Sequence, residues 1–169
     1  MKILLCGDID SGKSTMIRKL IADMGVPPRG YITVRLPAGA DGKSYVYLYD
    51  VAEPPANITD AQVIMSISGE GIERHPEYMD GLAVSYLRGI PEGSLVVMDE
   101  IGTLESAAPE FQREVMRILS GNYSVFAAVK AQNTEFLRAV RRHPDCELYI
   151  ITPENRDDLY AQIKAEHNI

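Results

Sequence analysis

The stretch GDIDSGKST, Gly7–Thr15, constrains this chain more than any other part of its sequence. Its spacing, G-x-x-x-x-G-K-S, lies between a short apolar run, Lys2–Cys6, and a segment, Lys13–Met24, whose apolar residues recur at helical intervals. A glycine loop between a strand and a helix is typical of phosphate-binding loops, because backbone N–H groups and the positive end of the helix converge on the phosphate. The chain is therefore predicted to open with a strand, a phosphate-binding loop and a helix that stops at Gly25.

Each position of this loop is a candidate contact to a nucleotide. Lys13 is expected to reach the β- and γ-phosphates, and the Ser14 hydroxyl is expected to ligate Mg²⁺. The alternative is a fortuitous glycine-rich turn, which the flanking strand and helix disfavour. The candidate nucleotide-binding residues of the loop are Gly7, Asp8, Ile9, Asp10, Ser11, Gly12, Lys13, Ser14 and Thr15.

Two carboxylates, Asp8 and Asp10, stand in a loop that is predicted to hold a polyanion. A carboxylate roughly 8 Å from a phosphate charge costs about 0.5–2 kcal/mol at effective dielectric constants of about 80 to 20. One interpretation is that both residues serve the loop's conformation, which Asp tolerates well, and modestly weaken nucleotide affinity. The other is that Asp10 contacts the water shell of the metal or the attacking water.

The segment LVVMDE supplies the second half of the predicted site. Leu95–Met98 form an apolar run that indicates a buried strand, and Asp99 and Glu100 follow at its end. Asp99 suits a Walker-B carboxylate that holds Mg²⁺ directly or through water, and Glu100 suits a general base that activates water. The alternative is a pair of strand-end carboxylates that cap the next turn.

The remaining pattern predicts an α/β fold. GYITVRL and SYVYLYDV flank a turn and indicate a β-hairpin, and AQVIMSIS indicates a further strand. Residues 75–89 are predicted to be helical, and from residue 94 onward strands and helices alternate, with Asn133 as the expected N-cap of one helix. This alternation favours a three-layer fold with a mostly parallel sheet, covered by helices on both faces and carrying a β-hairpin insertion.

Composition and charge narrow the function classes. The chain has 169 residues and a net charge of −7, which suits one domain over residues 1–169 and disfavours a general nucleic-acid binder. No apolar run approaches the roughly 20 residues needed to span a bilayer, and the N-terminus lacks the pattern of an export signal. With two cysteines, we expect a reduced, cytoplasmic protein, and we expect it to be a monomer.

The phosphate loop, RGYITVRL, VVMDEIGTLE and ENRDDL occur in an order that resembles the small thermophilic-type, or cancer-related, nucleoside-triphosphatases. The resemblance spans nearly the whole chain, and DEIGTLE is its most specific part. It implies a P-loop NTPase fold with a RecA/AAA-like core, and Mg²⁺-dependent hydrolysis of nucleoside triphosphates to diphosphates with loose choice of base. It assigns phosphate and catalytic roles to Lys13 and Glu100, and metal binding to Ser14 and Asp99.

The same resemblance places Asn155 and Arg156 near the nucleotide base. This chain also departs from the family pattern. Ile9 and Asp10 stand where the family loop usually has Pro and Gly, and Thr33 stands where the family hairpin usually has an acidic residue.

Two arginines have two interpretations each. Arg35 is either a charge near the phosphates or a solvated residue at the end of a hairpin strand. Arg156 either contacts the base or a phosphate, or is a first-turn helix residue beside Asp157 and Asp158.

Two other functions compete with hydrolysis. A P-loop kinase would pass phosphate to a small acceptor and would need an arginine-rich lid, for which Arg141 and Arg142 are the candidate. A nucleotide-binding regulatory or accessory protein would bind tightly with little turnover. The pair Asp99 and Glu100 favours water as the acceptor.

Overall fold

A computed structural model describes residues 1–53, 62–102 and 107–169. The described residues form one sheet with the strands β1 Lys2–Cys6, β2 Pro28–Arg35, β3 Ser44–Asp50, β4 Gln62–Ser68, β5 Gly71–Arg74, β6 Leu95–Ile101, β7 Ser124–Val129 and β8 Glu147–Ile150. The helices are α1 Lys13–Met24, a π-helix Met79–Ala83 that runs into α2 Val84–Leu87, α3 Pro109–Ser120, α4 Glu135–Arg141 and α5 Arg156–His167.

The sheet combines a parallel part with an antiparallel extension. Its order is β5-β4-β3-β2-β6-β7-β1-β8, and the strands from β2 to β8 in this order pair in parallel. β3 pairs antiparallel with β2, and β4 and β5 continue that arrangement. The predicted mostly parallel α/β fold with a hairpin is therefore confirmed, and the extension is longer than the sequence indicated.

Helices cover both faces of the sheet. Neighbouring residues of each central strand point to opposite faces, so each strand contributes apolar side chains to both. On β1, Ile3 and Leu5 pack on one face and Leu4 packs on the other, and all three are fully buried. Burial of each such side chain contributes about 2 kcal/mol of transfer free energy. One face packs against residues of α1 and α5, namely Met16, Ile17, Leu20, Leu159 and Ile163. The other packs against residues of α3 and α4, namely Phe111, Val115, Leu137 and Val140.

Two helical segments differ from expectation in detail. Residues 75–89 were expected to form an ordinary helix, but the backbone takes a π-helical turn at Met79–Ala83 before α2. The N-cap of α4 is Thr134 and not Asn133, so that prediction is wrong. The Thr134 side chain accepts a hydrogen bond from the backbone N–H of Leu137 at 3.2 Å, and only a side chain at the cap position itself reaches that group.

The carboxyl ends of β1, β7 and β6 meet at one edge of the sheet. β7 lies between the other two, and α1 starts just beyond β1. In parallel sheets this edge collects loops that bind ligands. No helix within the described ranges is both long and apolar enough to cross a membrane.

Candidate active site

The loop between β1 and α1 depends on its two glycines. A Cβ atom at Gly7 would lie 2.2 Å from the carbonyl oxygen of Ile151, which follows β8. Gly12 precedes α1 with φ 102°, a left-handed conformation that other residues rarely adopt. Both glycines of the G-x-x-x-x-G-K-S frame are therefore steric requirements of this loop.

Lys13 begins α1 and folds back over the loop. Its ammonium group donates to the carbonyl oxygen of Gly7 at 2.8 Å, to that of Asp8, and to Ser11 Oγ at 3.3 Å. Burial lowers the pKa of Lys13, and the nearby Glu100 carboxylate opposes this effect. Ser11 is buried and does not line the cavity that contains Lys13.

Ser14 and Asp99 come together at the edge of the sheet. Ser14 Oγ donates to Asp99 Oδ1 at 2.6 Å, and the backbone N–H of Thr33 donates to Asp99 Oδ2 at 3.4 Å. Asp99 is 1% exposed, and its burial raises the pKa of the carboxyl, although the two hydrogen bonds act in the opposite direction. Among the described residues, no ion pair involves Asp99.

This pair fits a magnesium ion by its chemistry. Magnesium prefers oxygen donors and is typically held by one or two protein oxygens together with phosphate oxygens and water. A hydroxyl and a buried carboxylate that forms no ion pair among the described residues provide that donor set at Ser14 and Asp99.

A β-bulge turns Glu100 toward the same side as Asp99. Asp99 pairs with Ala128 and Ile101 pairs with Val129, so Glu100 has no partner in the ladder. Glu100 has φ 94°, a left-handed conformation that is strained for a residue with a Cβ atom. As a result, the side chains of two successive residues line one cavity, although regular strand alternation would separate them.

Lys130 is a site residue that the sequence did not reveal. It follows β7, and its ammonium group forms an ion pair with Glu100 Oε1. Arg141 Nη1 donates to the carbonyl oxygens of Lys130 at 2.7 Å and of Gln132 at 3.0 Å, which fixes the backbone here. The available signal was the position of a lysine at the end of a strand, but it becomes informative only once β7 is known to lie between β1 and β6.

These residues share a cavity of about 860 Å³. It reaches from the phosphate loop to the antiparallel extension, where Val34, Val46, Met65 and Ile67 form an apolar wall. Among the described residues, its lining includes more cations than carboxylates, although the chain as a whole carries a charge of −7. The cations are Lys13, Arg18, Arg35, Lys130 and Arg156, and the carboxylates are Asp8, Asp10, Asp99 and Glu100. This balance favours a polyanionic ligand.

Three of the four variable positions of the loop line this cavity. Asp8, Ile9 and Asp10 all line it, and the Ile9 side chain is 70% exposed. Asp10 has φ 62°, in the left-handed region that Asp tolerates better than most residues. This backbone conformation supports the interpretation of Asp10 as a residue that serves the shape of the loop.

A smaller cavity of about 250 Å³ adjoins the first and shares Gly12, Thr15 and Arg156 with it. The rest of its lining consists of Met16, Lys19, Asp157 and Tyr160. Arg156 therefore lies where the two cavities meet.

Asn155, by contrast, lines neither of the two cavities. Its side-chain oxygen accepts from the backbone N–H of Thr152 at 2.8 Å, and its Nδ2 donates to the carbonyl oxygen of Ile150 at 2.9 Å. Asn155 thus shapes the loop before α5. Residues 103–105 of the DEIGTLE segment lie outside the described residues.

The three-layer fold, the glycine loop before α1 and the acidic end of β6 together define a P-loop NTPase. The chain belongs to the NTPase family, whose family model, described as NTPase, matches residues 2–164. A relative from Methanothermobacter thermautotrophicus, the nucleoside-triphosphatase THEP1, is 31% identical over 173 residues that cover 96% of this chain and 94% of the relative. The resemblance stated from the sequence motifs is therefore confirmed.

Two solved structures share the fold. The crystal structure of THEP1 from the hyperthermophile Aquifex aeolicus superimposes with a TM-score of 0.74 at 23% identity, over 96% of both chains. The solution structure of a human cancer-related nucleoside triphosphatase gives a TM-score of 0.71 at 20% identity, over 97% of this chain and 95% of the other. At these identities the two structures support the architecture alone.

Proposed function

We propose that this protein is a Mg²⁺-dependent nucleoside-triphosphatase that releases phosphate and leaves the diphosphate, with broad specificity for the base. One observation carries the proposal: Lys13, the Ser14–Asp99 pair and Glu100 face a single cavity beside the phosphate loop. The name of the relative from Methanothermobacter thermautotrophicus, nucleoside-triphosphatase, supports the same reaction class.

The two adjoining cavities support one orientation of the bound nucleoside triphosphate. Lys13 and the loop N–H groups bind the β- and γ-phosphates, and Glu100 and Lys130 mark the γ-phosphate end. The nucleoside then extends past Thr15 and Arg156 into the smaller cavity. That cavity offers an aromatic ring and an apolar side chain, which contact any base without reading its hydrogen-bonding edge.

Ser14 and Asp99 would hold the magnesium ion, which neutralises charge on the phosphate oxygens when it is bound. The Glu100 carboxylate accepts a proton from the attacking water as the oxygen of that water bonds to the γ-phosphorus. The bond from the γ-phosphorus to the bridging oxygen breaks, and the diphosphate leaves with the electron pair. Lys13 and the loop N–H groups stabilise the negative charge that develops on the leaving oxygen.

The apolar wall of the larger cavity supports a second candidate, a P-loop kinase. Val34, Val46, Met65 and Ile67 lie beyond the γ-phosphate end, where the organic part of a phosphoryl acceptor would fit. The two functions differ in whether phosphate is released without an added acceptor.

The test is phosphate release from ATP, GTP, CTP and UTP with Mg²⁺ and no acceptor. We expect hydrolysis of all four, loss of turnover with retained binding in Glu100→Gln, and loss of both in Lys13→Ala. If wild-type protein binds nucleotide but releases no more phosphate than Glu100→Gln, the hydrolase proposal fails and acceptors should be screened.

We also propose that the protein is cytoplasmic and monomeric. Cys6 and Cys146 are both unpaired, which supports a reducing compartment such as the cytoplasm. A monomer stays a prediction, which a sedimentation measurement would test.

A further inference from the structure

The ion pair between Lys130 and Glu100 is not explained by hydrolysis as outlined above. A general base acts through a free carboxylate oxygen, and here the ammonium group of Lys130 pairs with Oε1, one of the two oxygens of the Glu100 carboxylate. Both side chains are only partly buried, with 21% of Lys130 and 32% of Glu100 exposed, so the pair has room to separate. An ion pair at such exposure contributes little to stability, typically below about 1 kcal/mol.

Lys130 is close to the position of the terminal phosphate. It follows the strand between β1, which leads into the phosphate loop, and β6, which carries Asp99 and Glu100. The proximity of its charge also contributes to the lowered pKa of Lys13, so the two ammonium groups face one region of the cavity. Two cations on a shared region favour a ligand group that carries more than one negative charge, as a γ-phosphate does.

The surroundings of Lys130 hold its backbone and leave its ammonium group adjustable. Arg141 fixes the carbonyl oxygens on either side of the turn that follows β7. The stem of Lys130 lies against Gly102, where a Cβ atom would come within 2.8 Å of Lys130 Cδ. A lysine with an anchored backbone and a flexible stem can exchange one oxygen ligand for another without movement of the fold.

We propose that Lys130 is a γ-phosphate ligand, which pairs with Glu100 before the triphosphate binds and transfers to the γ-phosphate when it arrives. The transfer frees the Glu100 carboxylate to accept the proton of the attacking water. The inference rests on the proposed function for the role of Glu100, but its binding step does not depend on turnover.

The first experiment compares triphosphate and diphosphate binding in Lys130→Met. With Mg²⁺, the affinity for a β,γ-imido triphosphate analogue should fall roughly 10- to 100-fold, as for the loss of a charge-assisted hydrogen bond. The affinity for the diphosphate should stay within about 2-fold, because it has no γ-phosphate. Lys130→Arg should recover part of the loss. Equal changes for both ligands, or no change for either, would overturn the proposal.

Lys2→Met is the matched control. Lys2 also forms an ion pair, with Asp145 at 3.9 Å, but it begins β1 at the end of the strand away from the loop. This variant should bind both nucleotides as the wild type does. A similar selective loss of triphosphate affinity in the control would also count against Lys130.

A second experiment tests the exchange itself. In Glu100→Gln the competing carboxylate charge is gone, so the triphosphate analogue should bind several-fold tighter than to wild type. Adding Lys130→Met should abolish that gain if Lys130 is the group that transfers to the γ-phosphate. Relief of charge repulsion alone would leave the same gain in the Lys130→Met background, and that result would overturn the exchange. If wild type shows selective triphosphate binding through Lys130 but no phosphate release, the hydrolase proposal fails and this inference stands.

Discussion

Ser14 and Asp99, 85 positions apart in the sequence, are joined by a hydrogen bond of 2.6 Å between Ser14 Oγ and Asp99 Oδ1. The first turn of α1 and the end of β6 are thereby brought together at one edge of the sheet. Burial of a carboxylate beside the phosphate loop costs desolvation free energy, so this position favours a functional role for Asp99 over a stabilising one.

Asp99→Asn should separate stability from function. Burial raises the pKa of Asp99, so the folded chain binds a proton at this carboxyl more tightly than the unfolded chain does. The free energy of unfolding of the wild type therefore decreases as the pH rises from the Asp99 pKa of the unfolded chain through that of the folded chain. Asp99→Asn has no carboxyl group at this position and does not show this decrease. Calorimetry without metal from about pH 4 to pH 8 should show that the Tm of the variant, relative to that of the wild type, increases as the pH rises.

The same variant should no longer respond to metal. Mg²⁺ with a diphosphate should raise the Tm of wild type by mass action and leave that of Asp99→Asn nearly unchanged. A variant that is less stable than wild type by the same margin at every pH would show that the raised pKa has no energetic consequence.

The backbone at Glu100 gives a second prediction. Glu100→Gly and Glu100→Ala both remove the carboxylate and its ion pair with Lys130, but only glycine accepts φ 94° without strain. The glycine variant should be more stable than the alanine variant by about 1 kcal/mol, with both inactive in phosphate release. Urea unfolding measures the difference, and equal midpoints would mean that the bulge is unstrained.

The opening of the fold could be predicted because its signals are local. The apolar run Lys2–Cys6, the glycine frame and the left-handed C-cap at Gly25 each act within a few residues, and β1 and α1 have the expected bounds. β5 carries no such signal, because each residue of Gly71–Arg74 is exposed and no apolar period marks the strand. The π-helical turn was also hidden, because an apolar pattern does not show one extra residue in a helical turn.

Within the candidate site, motif residues and partner residues differ in how they could be found. The phosphate loop and the end of β6 are short motifs that include their own functional side chains. The sequence alone therefore predicts the candidates Lys13, Ser14, Asp99 and Glu100. Lys130 required the strand order, since only the position of β7 between β1 and β6 brings it to Glu100. Strand order is a tertiary property that no short segment encodes.

Gly7→Ala should lower the stability of the protein and not only its rate of phosphate release. The added Cβ would meet the backbone oxygen of Ile151, which cannot move without disturbing the segment after β8. Overpacking of this kind typically costs about 1–3 kcal/mol. Gly81→Ala is the control, because nothing lies within 4 Å of its Cβ position and a helical site favours alanine. Thermal unfolding should rank Gly7→Ala below wild type and Gly81→Ala at or above it.

Asp10→Asn separates the two interpretations of the acidic loop. Asparagine also tolerates the left-handed backbone at φ 62°, so the substitution removes the charge and keeps the conformation. If Asp10 only shapes the loop, triphosphate affinity should rise about 2- to 30-fold, which corresponds to about 0.5–2 kcal/mol of relieved repulsion. The gain should shrink as salt is added, and the turnover number should stay unchanged. A fall in turnover at saturating nucleotide would instead assign Asp10 to the water shell of the metal or to the attacking water.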